Sequence, residues 1–183
     1  MIKKIHYMLA TLVISVSLTV ASTADTQAKE FTQFLTDFSL FCVGGVGDPS
    51  LHKEIAKSEG WKSVPEKFKP LLKSANGNDF DGWSYKRDRG IIYIIAFFSE
   101  VMDGKPVHGC SLMNFDADYK TNVEKMKQSF KAKRFNEYSM GVQYTEIFSI
   151  KLPQFSKAMI VTNQDRSRPK GSDMFKFDLL VFE

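Results

Sequence analysis

The densest apolar pattern in the chain lies in residues 91–115, IIYIIAFFSEVMDGKPVHGCSLMNF. Asp103-Gly104 divides it, and that dipeptide tolerates the positive φ angles a tight hairpin loop needs. The first arm is apolar on both faces, with Ile91, Tyr93, Ile95 and Phe97 alternating against Ile92, Ile94, Ala96 and Phe98. A strand of this kind belongs inside a sheet and covered on both sides. A two-residue loop would set Cys110 opposite Phe97, Leu112 opposite Ile95 and His108 opposite Ser99.

Helical spacing dominates on the N-terminal side. In residues 29–43, Phe31, Leu35, Phe38 and Cys42 fall on one stripe with Phe34 beside them, and Gly44-Gly45-Val46-Gly47 ends the helix. Asp48 as cap and Pro49 as first residue open a second helix that reaches about Ser58. Ser63 and Glu66 are spaced as a capping box for a short helix carrying Phe68, Leu71 and Leu72. Residues 75–82 are turn-rich, and residues 83–86 form a short edge strand that turns at Arg87-Asp88-Arg89-Gly90 into the hairpin.

Beyond Phe115 the period changes again. Thr121 and Glu124 suggest another capping box, with Tyr119, Val123, Met126 and Phe130 on one stripe. Lys120, Lys125, Lys127, Lys131, Lys133 and Arg134 make the opposite, solvated face. Residues 140–151 alternate as a strand, residues 157–163 and 174–182 form two more, and residues 164–172 are a polar, basic loop. The order is helices, three strands, a helix, three strands. It predicts an α+β fold, an antiparallel sheet of about five to six strands with helices packed on one face.

Composition adds the compartment. Lys3 and Lys4, the apolar run Met8–Val20 and the small residues Ser22-Thr23-Ala24 read as a signal peptide over residues 1–24. The run is too short to span a bilayer, which takes about 20 residues. Residues 25–183 are then one domain with no transmembrane segment. Loss of the two leader lysines lowers the formal charge from +4 to +2, too little to argue for nucleic acid. Cys42 and Cys110 are the only cysteines. In an exported protein, periplasmic or secreted, such a pair reads as a structural disulfide.

Chemistry-bearing patterns are sparse. His52 and His108 are the histidines of the mature chain, and no GxSxG or HExxH motif accompanies them. The tetrads Ser50–Lys53 and Ser167–Lys170 have SxxK spacing without its companion motifs. Asn114, Asp116 and Asp118 have calcium-loop spacing, but Tyr119 stands where glycine is required. Asp79, Asp81, Gly82 and Asp88 fit such a loop better, but Gly77 occupies its first ligand position. Turn chemistry accounts for both clusters, so no metal, no cofactor and no catalytic residue is assigned. Gly44–Gly47 ahead of a helix resembles a phosphate cradle but follows a helix and lacks a GK[ST] ending. Trp61 and Trp83 border loops, where stacking on a sugar competes with plain packing.

The Cys42 helix, Gly60-Trp61, Trp83 and Gly109-Cys110-Ser111 together resemble a family of small exported bacterial proteins of unknown function. That resemblance implies the disulfide and the compartment and supplies no catalytic residue. Two functions follow. The first is a non-enzymatic binding module of the envelope, such as an inhibitor or immunity-type protein. Its partner would be another exported or envelope protein, met through the basic loop at Arg166, Arg168 and Lys170. The second is a small periplasmic hydrolase acting on cell-wall or lipid material through His52 or His108. A histidine in a cleft within reach of a serine and an acid favours the second.

Overall fold

The computed structural model describes residues 32–72, 80–87, 90–115, 118–167 and 174–183. Two compact units divide the chain, Met1–Thr32 and Gln33–Glu183, and the fold is that of the second. The leader expected over residues 1–24, and Phe31 of the first helix, lie outside the described residues.

The central hairpin forms as its pattern dictates. Strands β3 (Ile92–Met102) and β4 (Lys105–Asn114) pair with Phe97 opposite Cys110, Ile95 opposite Leu112 and Ser99 opposite His108. Asp103 and Gly104 take φ values of 51° and 73°, both positive, as a mirror-image turn requires. Around this pair are β1 (Lys62–Ser63), β2 (Asp81–Lys86), β5 (Lys133–Met140), β6 (Gln143–Ile150), β7 (Lys157–Asp165) and β8 (Met174–Phe182). All join one eight-stranded antiparallel sheet in the order β1-β2-β3-β4-β8-β7-β6-β5.

This is a mostly-β fold, which corrects the expected α+β arrangement of five to six strands. The two unforeseen strands are the sheet's edges. β1 is two residues long, and β5 is exposed at every position, so neither has a buried face to impose alternation. Lys133 and Arg134, assigned above to a basic helix face, begin β5. The helix that precedes them, α3 (Tyr119–Ser129), stops four residues earlier than Lys133 and is capped by Asp118, which accepts from the Thr121 N–H. The other expected capping box is also absent: Ser63 lies in β1, and Pro65 precedes a 3₁₀ helix over Glu66–Leu71.

Both faces of the sheet are covered near β3. On one lie α1 (Gln33–Asp37), a π-helix (Phe38–Val43) that continues it, and α3. Phe34, Leu35, Phe38, Phe41 and Cys42 are buried there against Tyr93, Ile95, Cys110, Leu112, Phe177 and Leu179. Each fully buried Phe or Leu contributes about 1.5–3 kcal/mol relative to exposure. The Cys42–Cys110 disulfide forms with a Cα–Cα distance of 5.3 Å and ties the π-helix to the middle of the sheet. On the other face, Val64 and Leu72 with Phe68 cover Ile94, Ala96 and Met113. Helices collected on a single face were expected; the doubly apolar β3 instead calls for cover on both sides, and receives it.

Candidate functional site

β3 is eleven residues long and β2 only six, and pairing between them ends at Asp81–Phe97. Past Phe97, β3 runs on beside β4 without a β2 partner, and a cleft of about 320 Å³ opens there. Helix α2 (Pro49–Ser58) closes it from the side. Asp48 caps that helix, accepting from the Ser50 and Leu51 N–H groups at 3.1 Å each, as the Asp-Pro start requires. Phe80, Phe97 and Phe98 supply apolar walls, and Asp81, Ser99, His52 and His108 supply polar atoms. Gly109 lies at its base under the Phe98 ring, and a Cβ there would come within 2.1 Å of that ring.

His52 and His108 therefore meet in one cleft, which nothing in their sequence spacing announced. His52 is 2% exposed and stacks on Phe97 with ring centroids 3.2 Å apart. Its Nε2 lies 3.3 Å from the Phe41 carbonyl oxygen, while Nδ1 is buried with no hydrogen-bond partner. Burial pushes its pKa below the usual histidine value, opposed by the Phe41 carbonyl and the Asp48 charge.

His108 is half-exposed and doubly engaged. Its Nδ1 is 2.8 Å from Ser99 Oγ and its Nε2 is 2.9 Å from Glu183 Oε1. The carboxylate can only accept, so Nε2 donates to Glu183, and in the neutral ring Nδ1 accepts the hydrogen bond of the Ser99 hydroxyl. The order Ser–His–Glu is that of a nucleophile, its base and the acid that orients the base, with the ring nitrogens exchanged relative to the usual arrangement. The Ser99–His108 half follows from strand pairing. Glu183 was missed; it reaches His108 because β8 lies beside β4 with Val181 opposite His108, a neighbour relation the sequence order hides.

Other expected residues have structural duties. Ser50 Oγ donates to Asp48 and Lys53 pairs with Asp81 at 3.1 Å, so the first SxxK tetrad does not bring its serine to its lysine as a base; in the second, Ser167 Oγ donates to Asp165 and Lys170 lies outside the described residues. Trp61 packs between Phe41 and Tyr85, with centroids 4.9 and 4.5 Å away, and Trp83 lies near Phe97. Arg166 lies 3.7 Å from the centre of the Tyr144 ring, while Arg168 and Lys170 fall outside the described residues. So do Gly77, Asp79, Asp88 and Asp116 of the calcium-like clusters, and no group of three metal-ligating side chains occurs among the described residues.

Two polar clusters carry no motif at all. Asp37, 1% exposed, accepts both Nε and Nη2 of Arg87, the Tyr85 hydroxyl and the Gln33 amide. Buried Glu146 accepts from Tyr119 and from Arg134, and Arg134 also meets Glu137. Both clusters join elements that lie far apart in sequence. Among the described residues, no helix is long and apolar enough to cross a membrane. No protein-family model, curated protein or solved structure matches this chain.

Proposed function

We propose that this chain is a non-enzymatic binding module of the cell envelope, exported to the periplasm or beyond, and that the cleft beside α2 is where it binds. The cleft itself carries this reading. Three aromatic walls and a few fixed polar atoms around about 320 Å³ match the make-up of small-ligand sites. Its walls belong to a disulfide-stapled hairpin and a capped helix, so it is pre-formed. The volume suits one ring or one projecting group of another envelope component, as an inhibitor or immunity-type protein would grip its target. Substitution Ser99→Trp fills the cleft from an exposed strand position. Envelope extract should yield a captured component with the native chain and none with this variant at equal melting temperature. Equal capture by both would remove the cleft from the function.

A hydrolase acting on cell-wall or lipid material has one observation in its favour, the Ser99–His108–Glu183 chain. Strand geometry weighs against it. Ser99 sits within β3, where backbone N–H groups lie in the plane of the sheet and side chains stand perpendicular to it. The oxyanion of a carbonyl attacked by Ser99 Oγ would lie off that plane, without the converging N–H donors that acyl transfer uses. Glu183 is also more than half exposed, so water competes for its hydrogen bond. A fluorophosphonate probe should leave Ser99 unlabelled; labelling that disappears in Ser99→Ala and weakens in His108→Gln would turn the assignment to a serine hydrolase.

A further inference from the structure

We infer that helix α2 is an acid-released latch on the cleft: it closes the cleft while His52 is neutral and swings away when His52 takes up a proton. This rests on the cleft being the binding site and adds its regulation. Little holds α2 in place. Among its described side chains only His52 and Ala56 are buried, with Ile55 partly so. Lys53 pairs with Asp81 at 3.1 Å, but both side chains are open to water, where such a pair contributes little. Gly47 and Gly60, at φ 93° and 65°, bracket the helix and can absorb a rotation. Upstream, the Cys42–Cys110 disulfide pins the π-helix, so the movement ends there. A helix with so little burial opens on its own, ahead of the sheet.

The one large anchor, His52, sits in a socket that fits only its neutral ring. Phe97 covers its face, and Gly45 lies so close to its edge that a Cβ there would come within 2.2 Å of Nε2. The Phe41 carbonyl can only accept, so Nε2 carries the proton of the neutral ring. Protonation puts a second N–H on Nδ1, which is buried and has no acceptor. A charged ring with an unpaired donor is expelled from such a place, because leaving the socket restores its hydration. The surrounding charges do not compensate. Residues 38–47, the π-helix and the turn after it, carry no titratable group besides the disulfide-bonded Cys42. Glu100 of β3 stands on the opposite face of the sheet from Phe97. Asp81 on β2 is held by Lys53, and His108 on β4 by Ser99 and Glu183. Asp48 at the cap of α2 does favour the charged ring, but burial outweighs it.

Amide hydrogen exchange of the full chain tests the latch without any ligand, so its failure is separate from a failure of the Ser99→Trp comparison. Referenced to intrinsic rates, the α2 amides should exchange through an opening more frequent than that of β3. It should also be insensitive to low urea, since little surface is exposed. The ring titrates near 6.5 when released and lower when seated, so the α2 opening should rise about tenfold from about pH 7.5 to about pH 5.5. His52→Gln keeps an amide donor for the Phe41 carbonyl, and His52→Phe keeps the stack on Phe97. Neither side chain titrates, so in both variants the α2 opening should be constant over that range, while His108→Gln should retain the rise. The latch is overturned by α2 amides that exchange only with the whole sheet, or by an opening indifferent to pH in the native chain. A rise that persists in both His52 variants, or that is lost in His108→Gln, overturns it equally. A component captured at about pH 7.5 and released alike by the native chain and His52→Gln at about pH 5.5 would overturn the regulation and keep the binding site.

Discussion

His52 connects the cleft to stability. In the unfolded chain it takes up a proton near its ordinary value of 6.5, whereas in the fold burial lowers its pKa. Its folded pKa being depressed, the stability it contributes is present above about 6.5 and is lost as pH falls below, because the unfolded state then binds the additional proton. Asp48 is the neighbouring charge and opposes the shift without reversing it. Urea midpoints measured from about pH 7.5 down to 5 should therefore fall in the native chain and fall less steeply in His52→Phe. Parallel profiles would show that His52 titrates as it does in the unfolded state. Arg87 poses a different problem: it holds Asp37, a carboxylate 1% exposed, with two hydrogen bonds of 3.0 and 2.9 Å. Arg87→Met leaves that charge buried with only neutral donors and should cost about 3 kcal/mol in chemical denaturation. Little of this was legible. Strand pairing placed Ser99 opposite His108 in advance, but Asp37 and Arg87 are 50 residues apart and sit on no shared periodic pattern.

Periodicity reports burial, and elements were legible to the extent that they are buried. β8 was delimited at Met174 and Phe182 because it alternates against the core, and β3 was recognised because both its faces are apolar. β5 defeats that signal. Its sequence KRFNEYSM is exposed throughout, and a bulge between Arg134 and Asn136 breaks the alternation a second time. The cost was a helix drawn too long and a basic face drawn too large. Arg134 is held by Glu137 and Glu146, and Lys127 by Glu124, so these cations are partly neutralised where they stand. The chain should therefore elute from heparin at low salt, and retention beyond moderate salt would show a polyanion site on α3 or β5. The same exposure predicts tolerance: Tyr138→Lys and Met140→Lys, 49% and 70% exposed on the edge, should change stability by no more than about 0.5 kcal/mol.

At the scale of the whole molecule, the sheet is two antiparallel runs, β1 to β4 and β5 to β8, joined where β4 meets β8. The last strand thus closes the centre beside the hairpin that carries Cys110, and the disulfide ties the first described helical segment to that same seam. Cys42 and Cys110 stand 68 residues apart, a long loop whose closure restricts the unfolded chain. In the chain-entropy account such a bond is worth about 4 kcal/mol, and removal of a native disulfide costs about 2–5 kcal/mol. Its position sharpens the expectation, because reduction also frees a helix whose Phe34, Leu35 and Phe38 cover the inner face of the hairpin. Urea unfolding with and without reductant should give unfolding free energies separated by that amount. The reduced chain should also show a steeper dependence on urea, its unfolded ensemble exposing more surface. The double variant Cys42→Ala with Cys110→Ala should match the reduced protein and ignore reductant. Coincident transitions for the native chain in both conditions would mean that packing alone holds the helix on the sheet, and that the bond does not determine the shape of the cleft beside it.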